Sequence, residues 1–340
     1  MDLGSCELVE KSKMTRVSVV VPLYNKRPYL LRALLSLADQ TFQDFEAIVV
    51  NDGSTDDGEK LVAQFGDSRI RLVNQTNAGP GAARNRGIAE SSGALAAFLD
   101  ADDEWLPKYL QTAVEAFDKN PQLACCTQGY LEAPSFRSTE PLWRKFGLTE
   151  GVQSVSTSTV LQLHYMVAYM NSQATVARPD VLRKWGGFFE NRCMFGEDSF
   201  LWLKILLNEE AAFILRPGVC IHRESGELSQ NRKGARGLEP FLMKPQEIEQ
   251  ACPLSLLPLL RSFLALRAFK TACVWGYYGE WKRAAEIRRR FRVPGDWRLP
   301  YYVSSLMCST PLGARIGATW RAFAAYLPRA RRSNISDELA

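Results

Sequence analysis

The chain has 340 residues, 46% hydrophobic and 23% charged, with a formal net charge of +5 at pH 7. That balance excludes a wholly disordered chain and suits one large domain with an appendage. No apolar run reaches the roughly 18 residues of a membrane helix, and residues 1–14 carry acids and lysines without an apolar core, so they are expected to be a disordered N-terminus and not a signal peptide.

Arg16 to Pro22 is rich in β-branched residues and reads as a strand. It runs through Leu23-Tyr24-Asn25-Lys26-Arg27 into a helical pattern with Leu30, Leu31, Leu34, Leu35 and Leu37 on one side. Phe45 to Val50 is a second strand, ending in Asn51-Asp52-Gly53-Ser54-Thr55-Asp56-Asp57, where Asp and Gly supply turn and cap chemistry. A third strand, Ile70 to Val73, leads through Asn77-Ala78-Gly79-Pro80-Gly81 into a helix ending near Glu90.

A fourth strand, Leu95 to Leu99, delivers Asp100, Asp102, Asp103 and Glu104, four acids within five positions. Carboxylates this crowded repel one another, and a hard divalent cation shared with phosphate oxygens relieves the repulsion. An acidic turn opening the next helix explains the same residues, and Asp103 and Glu104 are expected to play that part.

Further on, a helix to about Asn120 and a strand from Leu123 to Thr127 precede a stretch from Glu132 to Gln162 without a readable pattern. Order resumes at Val176 to Leu182, then Trp185-Gly186-Gly187-Phe188, whose aromatics suit a core. Next comes Gly196-Glu197-Asp198, where the acids stand in the first turn of a helix. Ala212 to Leu215 with Val219 to Ile221 reads as the last strand, and the polar segment Asn231 to Gly237 as the domain boundary.

Strands alternating with helices predict an α/β domain: a Rossmann-like, mostly parallel sheet covered on both faces, with four strand-end loops converging on one crevice. The first strand opens into no GxGxxG, and a P-loop is missing, which argues against a dehydrogenase. Eight cysteines without CxxC spacing, beside two histidines, argue against a zinc or disulfide framework. Residues 251–340 hold 15 Lys+Arg against 5 Asp+Glu, and 245–335 read as a basic helical region.

In order, VVVPLYN, VVNDGSTDD, NAGPGAARNRG, AFLDADDEW, WGGF and GEDSFLWLK resemble the family 2 glycosyltransferases of GT-A fold, over roughly residues 15–230. The resemblance implies a GT-A domain at 15–235, with a nucleotide-sugar half at 15–115 and an acceptor half at 116–235. It implies transfer of a sugar, with inversion, from a nucleotide donor to an acceptor hydroxyl, assisted by Mg²⁺ or Mn²⁺; a UDP-sugar is the favoured donor.

Carried onto this chain, it assigns Pro22, Tyr24 and Asn25 to the wall around base and ribose, Asp52 to the base edge and Arg84 to the donor. Asp102 goes to the metal and Asp100 to ribose or metal-bound water, with His222 as a third ligand or diphosphate partner. Asp198 becomes the general base, supported by Glu197. Two positions depart from the family: Asn51 stands where a second acid is common, and Glu224 where a His is frequent.

The implied acceptor is a surface glycan or lipid-linked oligosaccharide. The expected location is the cytoplasm, with the helices of 256–332 either touching an anionic inner leaflet or packing on the catalytic domain. No nucleic-acid module accompanies the charge. A sugar-nucleotide nucleotidyltransferase and a non-catalytic protein, either sugar-nucleotide-binding or a scaffold, are the rival readings.

Overall fold

The computed structural model describes residues 15–191, 193, 195–225, 237–291, 299–316 and 319. The expectations for 1–14, for the boundary segment 231–236 and for nearly all of 317–335 lie outside these residues.

Four strands, β1 (Val17–Leu23), β2 (Phe45–Asn51), β3 (Ile70–Asn74) and β4 (Leu95–Phe98), lie parallel in the order β3-β2-β1-β4. Helices α1 (Arg27–Ala38), α2 (Gly58–Phe65) and α3 (Pro80–Glu90) make the crossovers. Val17, Val19, Val20 and Val21 of β1 are all fully buried, as a strand covered on both faces requires. In α1 only Leu30, Leu34 and Leu37 of the expected leucine face are buried. Leu31 and Leu35 are exposed, because the sheet covers too narrow a stripe of the helix to reach all five.

The second half contains β5 (Glu104–Trp105), α4 (Tyr109–Lys119), β6 (Cys125–Ala133), β7 (Arg137–Ser138), α5 (Glu140–Lys145), β8 (Gly151–Gln153), α6 (Val160–Tyr169), β9 (Thr175–Ala177), α7 (Pro179–Lys184), α8 (Glu197–Asn208) and β10 (Ala211–His222). The sheet continues from β4 as β9-β6-β10-β5, with β9 antiparallel to both neighbours and β10 parallel to β6. The stretch that carried no readable pattern thus holds short elements, and β6 runs six residues past Thr127.

The expected helix start at Asp103 and Glu104 is corrected. Helix α4 begins at Tyr109, and Glu104–Trp105 forms a strand against β10. Asp103 is buried, accepting the backbone N–H of His222 at 2.7 Å.

The C-terminal elements are α9 (Pro240–Met243), α10 (Pro245–Ala251), α11 (Leu257–Tyr277), α12 (Trp281–Arg290) and α13 (Leu299–Cys308). Helix α11 packs against α6: Arg267 pairs with buried Glu239 and reaches His164 Nδ1 at 3.1 Å, and Lys270 Nζ stands 3.1 Å from His164 Nε2. Burial beside these cations pushes the His164 pKa down to about 2, so its imidazole stays neutral in the seam. Among the described residues no helix is long and apolar enough to cross a membrane.

Candidate active site

Every parallel strand ends on one edge of the sheet, and the loops there are tied to one another. Asn25, at a φ of 50° that Asn tolerates, accepts the Thr55 N–H at 2.8 Å, and Asp56 accepts the Arg27 N–H at 2.8 Å. Asp52 is buried and accepts from Gln75 Nε2 (2.8 Å), Ala78 N (2.8 Å) and Gly79 N (2.9 Å). Its carboxylate therefore shapes the loop that opens α3. Pro22 lies on β1 beside Val50, while Tyr24 projects from the crevice rim, 46% exposed.

Leu99 leaves β4, and the acids behind it meet cations at once. Lys26 Nζ donates to Asp102 Oδ2 and to the Ser225 carbonyl, both at 2.7 Å. Arg32 donates to the Asp102 carbonyl. Arg84, on α3 and 5% exposed at its side chain, bridges Asp100 Oδ1 at 2.7 Å and Glu197 Oε1 at 2.9 Å. Both carboxylates raise its pKa against the opposing effect of burial, so the guanidinium stays charged. One planar fork thereby links the acidic loop of β4 to the acidic start of α8.

Glycine makes that approach possible. A Cβ on Gly81 would lie 2.2 Å from the Phe189 carbonyl oxygen, in the loop leading to Glu197. Asn85 closes the same seam, exchanging hydrogen bonds with the Phe188 backbone in both directions, each 2.8 Å. Phe188 is core, as expected, whereas Trp185 is partly exposed and donates from its indole to Glu209.

Asp198 accepts the Ser172 N–H at 3.2 Å through one oxygen and the Ser199 N–H at 2.7 Å through the other. Burial, then the neighbouring Glu197 charge, push its pKa up to about 7, against the pull of Arg84 and the two N–H donors. A carboxyl poised near neutrality is the state a general base needs. Asp103 is raised well above the carboxylate range, by burial first and then by Asp100 and Asp102.

The fold brings Asp52, Arg84, Asp100, Asp102, Glu197 and Asp198 around one crevice. The His222 ring turns to Glu104 and Glu224, at 3.0 and 2.8 Å, with no hydrogen bond to Asp100 or Asp102. Lys26, Gln75, Gly81 and Asn85 are site-building residues that the sequence reading passed over. The Gly186-Gly187 pair, both at positive φ, is the sequence signal that a partner such as Asn85 comes close.

Replacing Arg84 with Ala should leave two buried-edge carboxylates facing each other. The expected cost is about 3–5 kcal/mol, read as a lower urea midpoint. Unchanged stability would mean that the bridge does not hold the two loops.

Residues 18–172 match the family described as Glycosyl transferase family 2. Over that stretch, a little under half of its length, the chain is similar to the family 2 glycosyltransferases. It is 29% identical over 219 residues to the uncharacterized glycosyltransferase EpsJ of Bacillus subtilis (strain 168), covering 62% of this chain and 61% of EpsJ. It is also 29% identical over 230 residues to glycosyltransferase GlyA of Streptococcus pneumoniae serotype 4, covering 63% of this chain and 32% of GlyA. The chain thus spans less than two thirds of either relative.

In three dimensions the domain and its helices are similar to S. aureus TarS 1-349 in complex with UDP-GlcNAc, with TM-score 0.57, 17% identity, and 90% and 92% of the two chains covered. They are also similar to the mannosyltransferase PcManGT from Pyrobaculum calidifontis in complex with GDP-Man and Mn²⁺, with TM-score 0.52, 18% identity, and 90% and 87% covered. The domain therefore has the GT-A fold, with helices following it.

Proposed function

We propose that the protein transfers a sugar, with inversion, from a nucleoside-diphosphate donor to a hydroxyl on a surface or lipid-linked glycan. The Arg84 bridge supports this most, because it sets the donor-side acid Asp100 and the acceptor-side acid Glu197 on one cation, 2.7 and 2.9 Å away. Donor and acceptor chemistry then share one crevice. A UDP-sugar remains the favoured donor, and TarS, solved with UDP-GlcNAc, is a structural neighbour.

In this reading Pro22, Tyr24 and Asn25 wall the base and ribose. Asp52 receives the base edge, since its oxygens have lone pairs beyond those given to Gln75, Ala78 and Gly79. Asp100 and Asp102, with side chains 26% and 17% exposed, offer hard oxygen ligands that fit Mg²⁺ or Mn²⁺. Lys26 shows that Asp102 already takes a cation. A divalent ion bound there with the donor would stabilise charge on the departing nucleoside diphosphate. Asp198 accepts the acceptor's proton as the C–O bond forms, and Arg84 holds Glu197 beside it through their ion pair. Calorimetric titration with UDP, GDP and TDP sugars, with and without Mn²⁺, tests the reading: a UDP-sugar should bind more tightly with metal. Binding of no sugar nucleotide would remove it in favour of a scaffold.

The same proposal places the enzyme at the cytoplasmic face of a membrane, near a lipid-linked acceptor. Val303, Leu306, Leu312 and Ile316 are exposed on α13 and the helical residues 311–316, and Lys282, Arg283, Arg289 and Arg290 are exposed on α12. Apolar side chains beside arginines suit an anionic leaflet. Vesicles containing phosphatidylglycerol should sediment the protein, and the double change Leu306→Asp, Leu312→Asp should weaken this about tenfold or more. Equal binding to neutral vesicles would contradict the electrostatic part.

A further inference from the structure

Glu104 and Cys220 are direct partners in the antiparallel pairing of β5 with β10. Their side chains leave the same face of the sheet. His222 stands two residues beyond Cys220, and the strand period returns it to that face. The register thus gathers a carboxylate, a thiol and an imidazole whose ligand atoms all lie within 4.8 Å of one another.

A second observation points the same way. His222 Nε2 is 3.0 Å from Glu104 Oε1, while Nδ1 is 2.8 Å from Glu224 Oε1. A neutral imidazole has one N–H, so it cannot donate to both carboxylates. A cation between Nε2 and Glu104 resolves the conflict. Nδ1–H then donates to Glu224, the outer carboxylate arrangement that orients a ligating histidine.

We propose that Glu104, Cys220 and His222 bind one thiophilic divalent cation, Zn²⁺, at a site separate from Asp100 and Asp102. Thiolate, imidazole and carboxylate are the ligand types zinc takes, whereas Mg²⁺ and Mn²⁺ prefer oxygen alone. Cys220 is buried and a third of the Glu104 side chain is open, leaving the fourth position to water. Ligand atoms of a tetrahedral site lie about 3.5 Å apart, a closure that side-chain rotation supplies. Binding forms a Zn–S bond and releases the Cys220 proton to solvent. Thiolate and carboxylate then cancel the charge of the ion, so Arg32, which acts electrostatically on Cys220, faces no net positive charge. The ion ties β5 to β10 immediately after Asp102 and braces the acidic loop.

Cobalt reads the site without any donor sugar. Metal-stripped protein titrated with Co²⁺ should develop one equivalent of thiolate-to-cobalt charge-transfer absorption, which Zn²⁺ displaces. The band should be absent from Cys220→Ser and His222→Gln and retained in Asp102→Asn and Cys193→Ser, with circular dichroism showing each variant folded. One equivalent of Zn²⁺ should also raise the melting midpoint of the parent and not that of His222→Gln. No band in the folded parent overturns the proposal. So does a band that survives Cys220→Ser, or one lost with Asp102→Asn. None of these outcomes depends on whether the protein transfers a sugar.

Discussion

Asp198→Asn is expected to keep donor binding and to lose roughly 10²- to 10⁴-fold in transfer rate. Asn keeps the shape of the side chain and can still accept one of the Ser172 and Ser199 N–H groups that meet Asp198 at 3.2 and 2.7 Å, its NH2 replacing the other oxygen. It cannot take a proton from a hydroxyl. The parent carries its own signature, because burial and Glu197 raise the Asp198 pKa to about 7. Transfer should climb as pH rises through about 7 and then level off, since only the ionised form is a base. Stability carries the opposite sign. A carboxyl whose pKa is raised by folding favours the fold at acidic pH, and that contribution fades as pH rises through about 7. In Asp198→Asn both dependences should flatten. Initial rates measured across pH, beside calorimetric donor affinity, check this, and a variant that turns over like the parent removes Asp198 as the base.

Asp102→Ala should cost about 10²- to 10³-fold in metal-dependent transfer, the equivalent of several kcal/mol of charge stabilisation at the leaving group. In the parent, Lys26 neutralises Asp102 at 2.7 Å, with both side chains under one fifth exposed. Without the acid, the ammonium keeps only its bond to the Ser225 carbonyl. A divalent ion would then meet a positive charge in place of the proposed ligand. The change should therefore abolish the gain in donor affinity on adding Mn²⁺, and not merely lower the rate. Lys26→Met tests the partner's share: if Lys26 only balances Asp102, the variant should bind Mn²⁺ more tightly. Donor affinity that still rises with Mn²⁺ in Asp102→Ala would move the metal elsewhere.

Much of this crevice is legible in the sequence. Strand ends announce themselves locally, by a β-branched or apolar run that stops at Asn, Asp or Gly, so the loops at Tyr24, Asp52, Gly79 and Asp100 could be set along one sheet edge. The acidic pair at 197–198 was visible in the same way, as a helix start. The roles divided among neighbouring acids were not. Asp103 and Glu104 read as helix-starting residues, yet one is buried against His222 and the other pairs with β10. The region between Glu132 and Gln162 stayed unread because its elements are short, several of two to six residues, too few for a period to show.

The sequence by itself determined the alternation of strands and helices and the set of acids on the crevice, because those depend on periodicity and turn chemistry within a few residues. Only the tertiary structure decided which cation each acid meets. Asp102 faces Lys26 from 76 positions away, Glu197 faces Arg84 from 113, and Glu104 lies against His222 from 118. Those pairings follow from sheet order and register, which place β5 beside β10 and not beside β4. Charges so close together interact by distance and burial, and neither quantity is written in the spacing of residues along the chain.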